Sequence, residues 1–197
     1  MRLETELFAD PAKIEAYYVS IVTALAGKGL PIIVKLSRYH TNLPMLVDKL
    51  RAAGAAAVTL FNRSYQVDVD LNREQLIGGE VFSHEGDFTE TLRFAGVIRG
   101  CVPNVGISAS TGIYTWAELT KVLLAGADTA QMCTAVYKQG ATAIAEALKG
   151  LRHWMIEHGY QSLSELRGRL SYGAVADPSL FERIQFMKYF NARAAQD

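Results

Sequence analysis

The chain is expected to fold as a parallel α/β protein, and three features of its 197 residues predict it. Four short apolar runs, at 31–37, 57–62, 106–110 and 129–134, do not alternate as half-buried strands do; they read as strands covered on both faces. Stretches with helical periodicity separate them. Ala53-Gly54-Ala55 and Ala125-Gly126-Ala127 stand 72 residues apart, each between a predicted helix and a predicted strand, where small residues allow close packing. Repeated βα units with buried strands make a parallel sheet.

The elements follow in order. Asp10 suits an N-cap and Pro11 the first helical position, opening a helix over 10–26 with Ile14, Tyr17, Tyr18, Ile21, Val22 and Leu25 at helical spacing. Gly27 and Gly29 stop it. The strand at 31–37 comes next, with Lys35 as its one charge. A helix over 43–53 carries Leu43, Leu46, Val47 and Leu50 on one face and leads into the second strand, 57–62. Residues 63–86 are irregular and polar, an excursion read as a hairpin or lid, and a helix over 87–99 follows. The strand at 106–110 is the weakest of the four. Thr115 and Glu118 have capping-box spacing and start a helix through Leu124. The fourth strand, 129–134, precedes a helix over 140–157. Ser162–Glu165 is a second capping box, and Asp177-Pro178 opens a final helix near 179–194. A doubly wound sheet and a (β/α)₈ barrel both fit this order. Four strands are half of a barrel, which needs roughly 200–250 residues or more. An open four-stranded sheet would leave two apolar edges.

Composition excludes several classes. Lys+Arg and Asp+Glu number 20 each, so the net charge is zero. That gives no electrostatic footprint for nucleic acid and no polybasic surface for anionic lipid. Two cysteines make no disulfide framework, and their spacing suggests no metal site. No run approaches the ~18 apolar residues of a membrane span. The opening Met1-Arg2-Leu3-Glu4-Thr5-Glu6 lacks the apolar stretch of a secretory signal. The expectation is a cytoplasmic, single-domain protein that binds neither membrane nor nucleic acid.

In parallel α/β folds the site gathers at the C-terminal strand ends. Those ends carry Lys35 and Ser37, Asn62 and Arg63, Ser110-Thr111-Gly112, and Cys133-Thr134. Hydroxyls and a glycine before a helix suit a phosphate. A lysine inside an apolar strand is tolerated beside an anion or electron-rich ring.

The runs Pro31-Ile32-Ile33-Val34-Lys35-Leu36-Ser37, Ala52-Ala53-Gly54-Ala55 with Val58-Thr59-Leu60-Phe61-Asn62, Ala109-Ser110-Thr111-Gly112-Ile113, and Leu124-Ala125-Gly126-Ala127-Asp128 with Gln131-Met132-Cys133-Thr134-Ala135 resemble, in order and spacing, the C-terminal part of the dihydroorotate dehydrogenase family. Phe61-Asn62-Arg63 and the tail Arg183-Ile184-Gln185-Phe186-Met187-Lys188-Tyr189-Phe190 are similar to its bacterial dihydroorotate dehydrogenase-like branch. The resemblance covers nearly the whole chain. It implies a (β/α)₈ TIM-barrel type of fold, this chain supplying strands five to eight and a C-terminal helical extension over about 160–197. It implies an FMN cofactor: Lys35 beside the N1/O2 edge of the flavin, Ser110, Thr111, Gly112, Cys133 and Thr134 around its phosphate, and Asn62 on the pyrimidine substrate. The implied reaction oxidises dihydroorotate to orotate in pyrimidine biosynthesis, with hydride passing to flavin N5.

The chain departs from the family in two ways. The family is richer in glycine where Ala109-Ser110-Thr111 stand and has glycine where Cys133 stands. Its catalytic base, a Cys or Ser on an earlier loop, has no counterpart, so no catalytic residue is identified and the base is read as lying outside this chain. Cys101 falls at the opposite strand ends and reads as structural, and Cys133 as buried packing. The chain is expected to be either a half-barrel or a fragment, closed by a second copy or by a separate N-terminal half. The rival function is a non-catalytic scaffold binding FMN or another phosphate ligand. His40 and His84 read as solvated loop residues on the site's side, and His153 and His158 as surface.

Overall fold

Four parallel strands need three crossovers, and the computed structural model, which describes residues 10–182, builds every one of them with a helix. The order is α1 (Pro11–Leu25), β1 (Ile32–Leu36), α2 (Leu43–Ala52), β2 (Ala55–Leu60), β3 (Val67–Asp70), β4 (Gln75–Gly78), α3 (Phe88–Cys101), β5 (Gly106–Ser110), α4 (Trp116–Ala125), β6 (Thr129–Gln131), α5 (Cys133–Gln139), α6 (Thr142–Glu157) and α7 (Leu163–Leu166). The main sheet runs β1-β2-β5-β6, all parallel. The polar excursion holds an antiparallel hairpin of β3 and β4. Of the final helix expected near 179–194, a 3₁₀ turn at Pro178–Phe181 is seen; its remainder, and the tail motif Arg183–Phe190, lie outside the described residues.

Local chemistry sets the helix ends. The Asp10 carboxylate accepts from the Ala12 N–H at 2.9 Å, with Pro11 in the first turn. Thr115 and Glu118 form the reciprocal capping box of α4. The Ala-Gly-Ala echo has one cause at both places: Gly54 and Gly126 close α2 and α4 at φ +111 and +134. A Cβ there would lie 2.9 Å from Ala26 Cβ and 2.4 Å from Arg99 Cβ. The chain can turn that tightly from helix to strand only without a side chain.

The strand order advances without reversing, so the sheet has no switch point and is not doubly wound. Right-handed crossovers in one direction put their helices on one face. That face carries the rows Val34–Val58–Ile107 and Leu36–Leu60–Ala109, with Leu36, Leu60 and Ala109 wholly buried. Leu46, Val47 and Leu50 of α2, Ile98 of α3 and Val122 of α4 close the core over them. Each such side chain contributes about 1.5–3 kcal/mol on burial.

On the other face the expectation of strands buried on both sides fails at β1 and holds at the sheet centre, where Thr59 and Ser108 are buried. Ile33 is 60 % exposed, and Lys35 beside it is exposed too. The row across this face is Lys35–Thr59–Ser108–Thr129, small and polar. An apolar run without alternation therefore conceals two unlike faces, because Ile33 stands where the packing does not require it.

Candidate functional site

Five segments converge on one cleft of about 180 Å³ at the C-terminal ends of the main sheet. β1 contributes Lys35, and the loop after β2 contributes Asn62 and Arg63. The return arm of the hairpin contributes Val81 and Ser83. β5 and its loop bring Ser110, Thr111, Gly112 and Ile113; β6 and the start of α5 bring Gln131, Cys133 and Thr134. Of the strand-end residues named from the sequence, all but Ser37 lie in this lining; Ser37 lines a neighbouring cleft. The cleft contains two cationic side chains and no carboxylate, in a chain with no net charge. That charge pattern favours an anion over a cation.

The loop after β5 has the most constrained backbone. Thr111 and Gly112 take successive positive φ angles, +81 and +74. For a β-branched residue this conformation costs roughly 1–3 kcal/mol. The Thr111 hydroxyl donates to the Phe61 carbonyl at 3.2 Å, tying the loop to β2. Its proton is thus engaged, and Thr111 has its backbone N–H to offer a ligand. The Ser110 carbonyl is held from below by the buried Thr91 hydroxyl at 2.8 Å. Gly112 leaves no room for a side chain: a Cβ would meet Phe88 N at 2.4 Å.

Thr134 is set differently. Its Oγ accepts from the Ser83 hydroxyl at 3.0 Å and the Ser83 N–H at 3.3 Å. With both lone pairs used, its own hydrogen is free to donate into the cleft. Ser83 in turn is clamped by the buried Tyr114, whose hydroxyl donates to the Ser83 carbonyl. The hairpin's return arm is so fastened to the β5 and β6 ends. At the sheet centre the Gln131 amide donates to Ser108 Oγ at 3.1 Å and to Thr59 Oγ at 3.4 Å. Asn62 is fixed by its own N–H, which donates to the Leu36 carbonyl at 2.7 Å.

Cys133 and Thr134 do not extend the fourth strand, which ends at Gln131; they begin α5. Cys133 is exposed rather than buried packing, and Cys101 at the end of α3 is exposed as well. Sequence reading passed over Ser83, Gln131 and Tyr114. Gln131 was accessible to it, standing two residues beyond Thr129 on the sheet's polar face. Ser83 was not, since it reaches Thr134 across 51 residues of chain.

A neighbouring cleft runs from Asn62 and Arg63 to Ser37, Tyr39 and His40. Its Tyr39 phenol titrates below its ordinary value of 10, through hydrogen bonds from Ser64 and then Arg38 that favour the phenolate. His40 lies there, 3.5 Å from the Ser37 hydroxyl. His84 is exposed and does not line the main cleft. On α6, His153 pairs with Glu157 at 3.2 Å, and His158 stacks on Trp154, both on the surface. No helix among the described residues is long and apolar enough to cross a membrane.

No family model matches the chain. Individual proteins do. The catalytic subunit of dihydroorotate dehydrogenase B (NAD(+)) from Pyrococcus abyssi is 29 % identical over 143 residues, covering 70 % of this chain and 47 % of that protein. The same subunit from Bacteroides fragilis is 29 % identical over 142 residues, 71 % of this chain and 46 % of the relative. The NAD-dependent dihydropyrimidine dehydrogenase subunit PreA of Escherichia coli K12 is 25 % identical over 152 residues, 72 % of this chain and 37 % of its own length. The resemblance to dihydroorotate dehydrogenases thus holds across most of the sequence. The chain spans about half the length of the curated dihydroorotate dehydrogenases it matches.

Proposed function

We propose that this chain is the flavin-binding, C-terminal half of a (β/α)₈ barrel in an oxidoreductase of the dihydroorotate dehydrogenase type. One observation carries the reading. Lys35, Asn62, Ser110, Thr111, Gly112, Cys133 and Thr134, spread over 100 residues of sequence, line a single carboxylate-free cleft at parallel strand ends. The one-directional strand order, with Ile33 and Lys35 of β1 left open, supports a half-barrel.

The donor set fits FMN. The Thr134 hydroxyl and the backbone N–H groups of the Thr111-Gly112 turn would hold a phosphate, with Ser110 and Cys133 at its flanks. Lys35, placed at the C-terminal end of β1 on the open face, would neutralise charge at the ring. Asn62 would donate to the pyrimidine. Bound FMN would supply the hydride acceptor, and this chain's residues would orient the ring and the substrate against each other. The base comes from outside this chain in this reading, from a second copy or a separate N-terminal half that covers the open face and shuts out water.

The test begins with the visible spectrum of the purified chain. Flavin absorbance, with FMN recovered on denaturation, is the expected result; a colourless protein that takes up no added FMN refutes the flavin assignment. Light scattering should give a mass above that of one chain unless a partner half is supplied. A cooperatively unfolding monomer that binds FMN would refute the need for closure.

A second reading is favoured by the open inner face itself: Ile33 and Lys35 stand exposed, where catalysis would require water to be excluded. There the chain binds FMN or another phosphate ligand without turnover. Orotate formation with an artificial electron acceptor separates the two. Turnover by the chain alone eliminates the non-catalytic reading.

A further inference from the structure

Arg63 has no role in the site as described, and its surroundings ask for one. It sits at the C-terminal end of β2, where the main cleft meets two neighbouring clefts, and lines all three. One arm is occupied: Nη1 donates to the Val81 carbonyl on the hairpin's return arm. The nearest acid, Asp87, lies 4.0 Å from Nε, beyond hydrogen-bonding distance, and its Oδ2 already accepts from the His84 N–H at 2.9 Å. The remaining nitrogen, Nη2, is buried and has no hydrogen-bond partner among the described residues. The cation next in reach, Lys35, adds positive charge. Asp87 partly balances the charge, but a guanidinium N–H buried without a hydrogen bond is costly, and an anion that reaches it relieves that cost.

That anion need not be the phosphate. The phosphate donors belong to the β5 and β6 ends, whereas Arg63 follows β2, next to Asn62. Arg63 stands beside Asn62, which the proposed reading puts on the substrate ring, so we assign it to that part of the ligand. We propose that Arg63 is a specificity-determining residue that binds a carboxylate on the ring substrate. A guanidinium offers a planar pair of donors that matches a carboxylate. The side chain is one-fifth exposed and is anchored to the hairpin arm through Nη1; in this proposal a turn of the guanidinium brings Nη2 to the ligand. Asn62 would read the ring and Arg63 its charge. This assignment rests on the reading of Asn62 and the cleft as a pyrimidine site.

The test is calorimetric titration of the full chain with orotate, which carries a carboxylate, and uracil, which does not. Each is run with and without FMN. FMN and riboflavin are titrated alongside, and all four on wild type, Arg63→Gln and Arg63→Lys. Thermal unfolding checks that each variant folds. The wild type should prefer orotate to uracil at least tenfold. Arg63→Gln should bring that ratio close to one, and Arg63→Lys should keep part of it. The FMN-to-riboflavin ratio should move less than threefold in both variants. A wild type that binds orotate no better than uracil overturns the proposal, as does an Arg63→Gln chain that keeps the preference. Loss of the FMN-to-riboflavin preference in Arg63→Gln also overturns it, by assigning Arg63 to the cofactor phosphate. Failure of FMN to bind, with the orotate preference intact and Arg63-dependent, refutes the flavin reading and supports the carboxylate assignment.

Discussion

Gly112 is where the backbone of the cleft can be tested most directly, with Gly112→Ala. Two costs follow from the structure. The residue sits at φ +74, where an L side chain loses roughly 1–2 kcal/mol. The added Cβ would also stand 2.4 Å from Phe88 N, 2.9 Å from Asp87 C and 3.0 Å from His84 O. All three are backbone atoms, so no flexible side chain can swing away. Overpacking of this kind costs about 1–3 kcal/mol. The sum is about 2–5 kcal/mol, a large part of the 5–15 kcal/mol that stabilises a typical domain. Gly159, just past the end of α6, supplies the control. Its φ is +76, nearly the same, but nothing lies within 4 Å of its would-be Cβ. Gly159→Ala should therefore lose the conformational cost alone, about 1–2 kcal/mol. Urea unfolding of wild type and both variants reads the difference as a shift in midpoint at constant slope. Equal losses in the two variants would refute the reasoning, because they would mean that residues 84–88 are not seated on Gly112.

Three further outcomes are expected. Asp128 accepts from Arg99 Nη2 at 2.6 Å and from the Ile107 N–H at 2.8 Å, and faces Arg167 at 3.5 Å, so Asp128→Ala should cost about 2 kcal/mol in urea unfolding by leaving two arginines and a strand N–H unmatched. Desolvation raises the Glu118 pKa, but hydrogen bonds from the Thr115 hydroxyl and backbone N–H outweigh it and hold the carboxyl below its ordinary 4.5. A lowered folded value means stability present above about 4.5 and lost as pH falls through the folded value, so the fall in urea midpoint from pH 6 to pH 3 should be smaller in Glu118→Gln than in wild type. Lys35→Met should leave the unfolding midpoint within about 0.5 kcal/mol, as an exposed side chain does, while weakening FMN uptake at least tenfold by fluorescence titration.

Much of the fold was legible because its signals are local. Asp10-Pro11, Thr115 with Glu118, and the two Ala-Gly-Ala junctions each depend on a few neighbouring residues, and the structure places helix ends or turns at all of them. The 72-residue echo was legible because both glycines take a positive φ at a helix-to-strand turn, although the atoms they make room for, at Ala26 and Arg99, lie on preceding elements. What was not legible is which side of a strand faces what. Ile33 and Val34 are equally apolar, yet Val34 is packed toward the helices and Ile33 stands open. Periodicity separates faces only where the residue types differ, and in β1 only Lys35 marks the open one. The end of the fourth strand was misplaced for a related reason: Gln131 through Thr134 carries no breaker, and helix begins there because the β6 ladder stops at the pairing of Ser110 with Gln131.

The candidate site follows a simpler logic. In a parallel sheet, residues at equivalent strand ends must converge, however far apart they stand in sequence, so reading four strand ends was enough to gather eight residues, Arg63 among them, into one cleft. The same logic sets its limit, because it sees only what strands carry. Ser83, and the partner that Arg63 finds at Val81, depend on the path of the hairpin between β2 and α3, a path held by contacts to Tyr114, Thr134 and Val81 that no local pattern encodes. These are the residues that differ most from a bare phosphate cradle. Ser83 uses up the lone pairs of Thr134 and so turns its hydroxyl into a donor; Arg63 leaves a cation arm unmatched. The excursion is therefore part of the candidate site's chemistry and not only a cover over it. The hairpin determines which protons the cleft can donate, while the strand ends determine where they are.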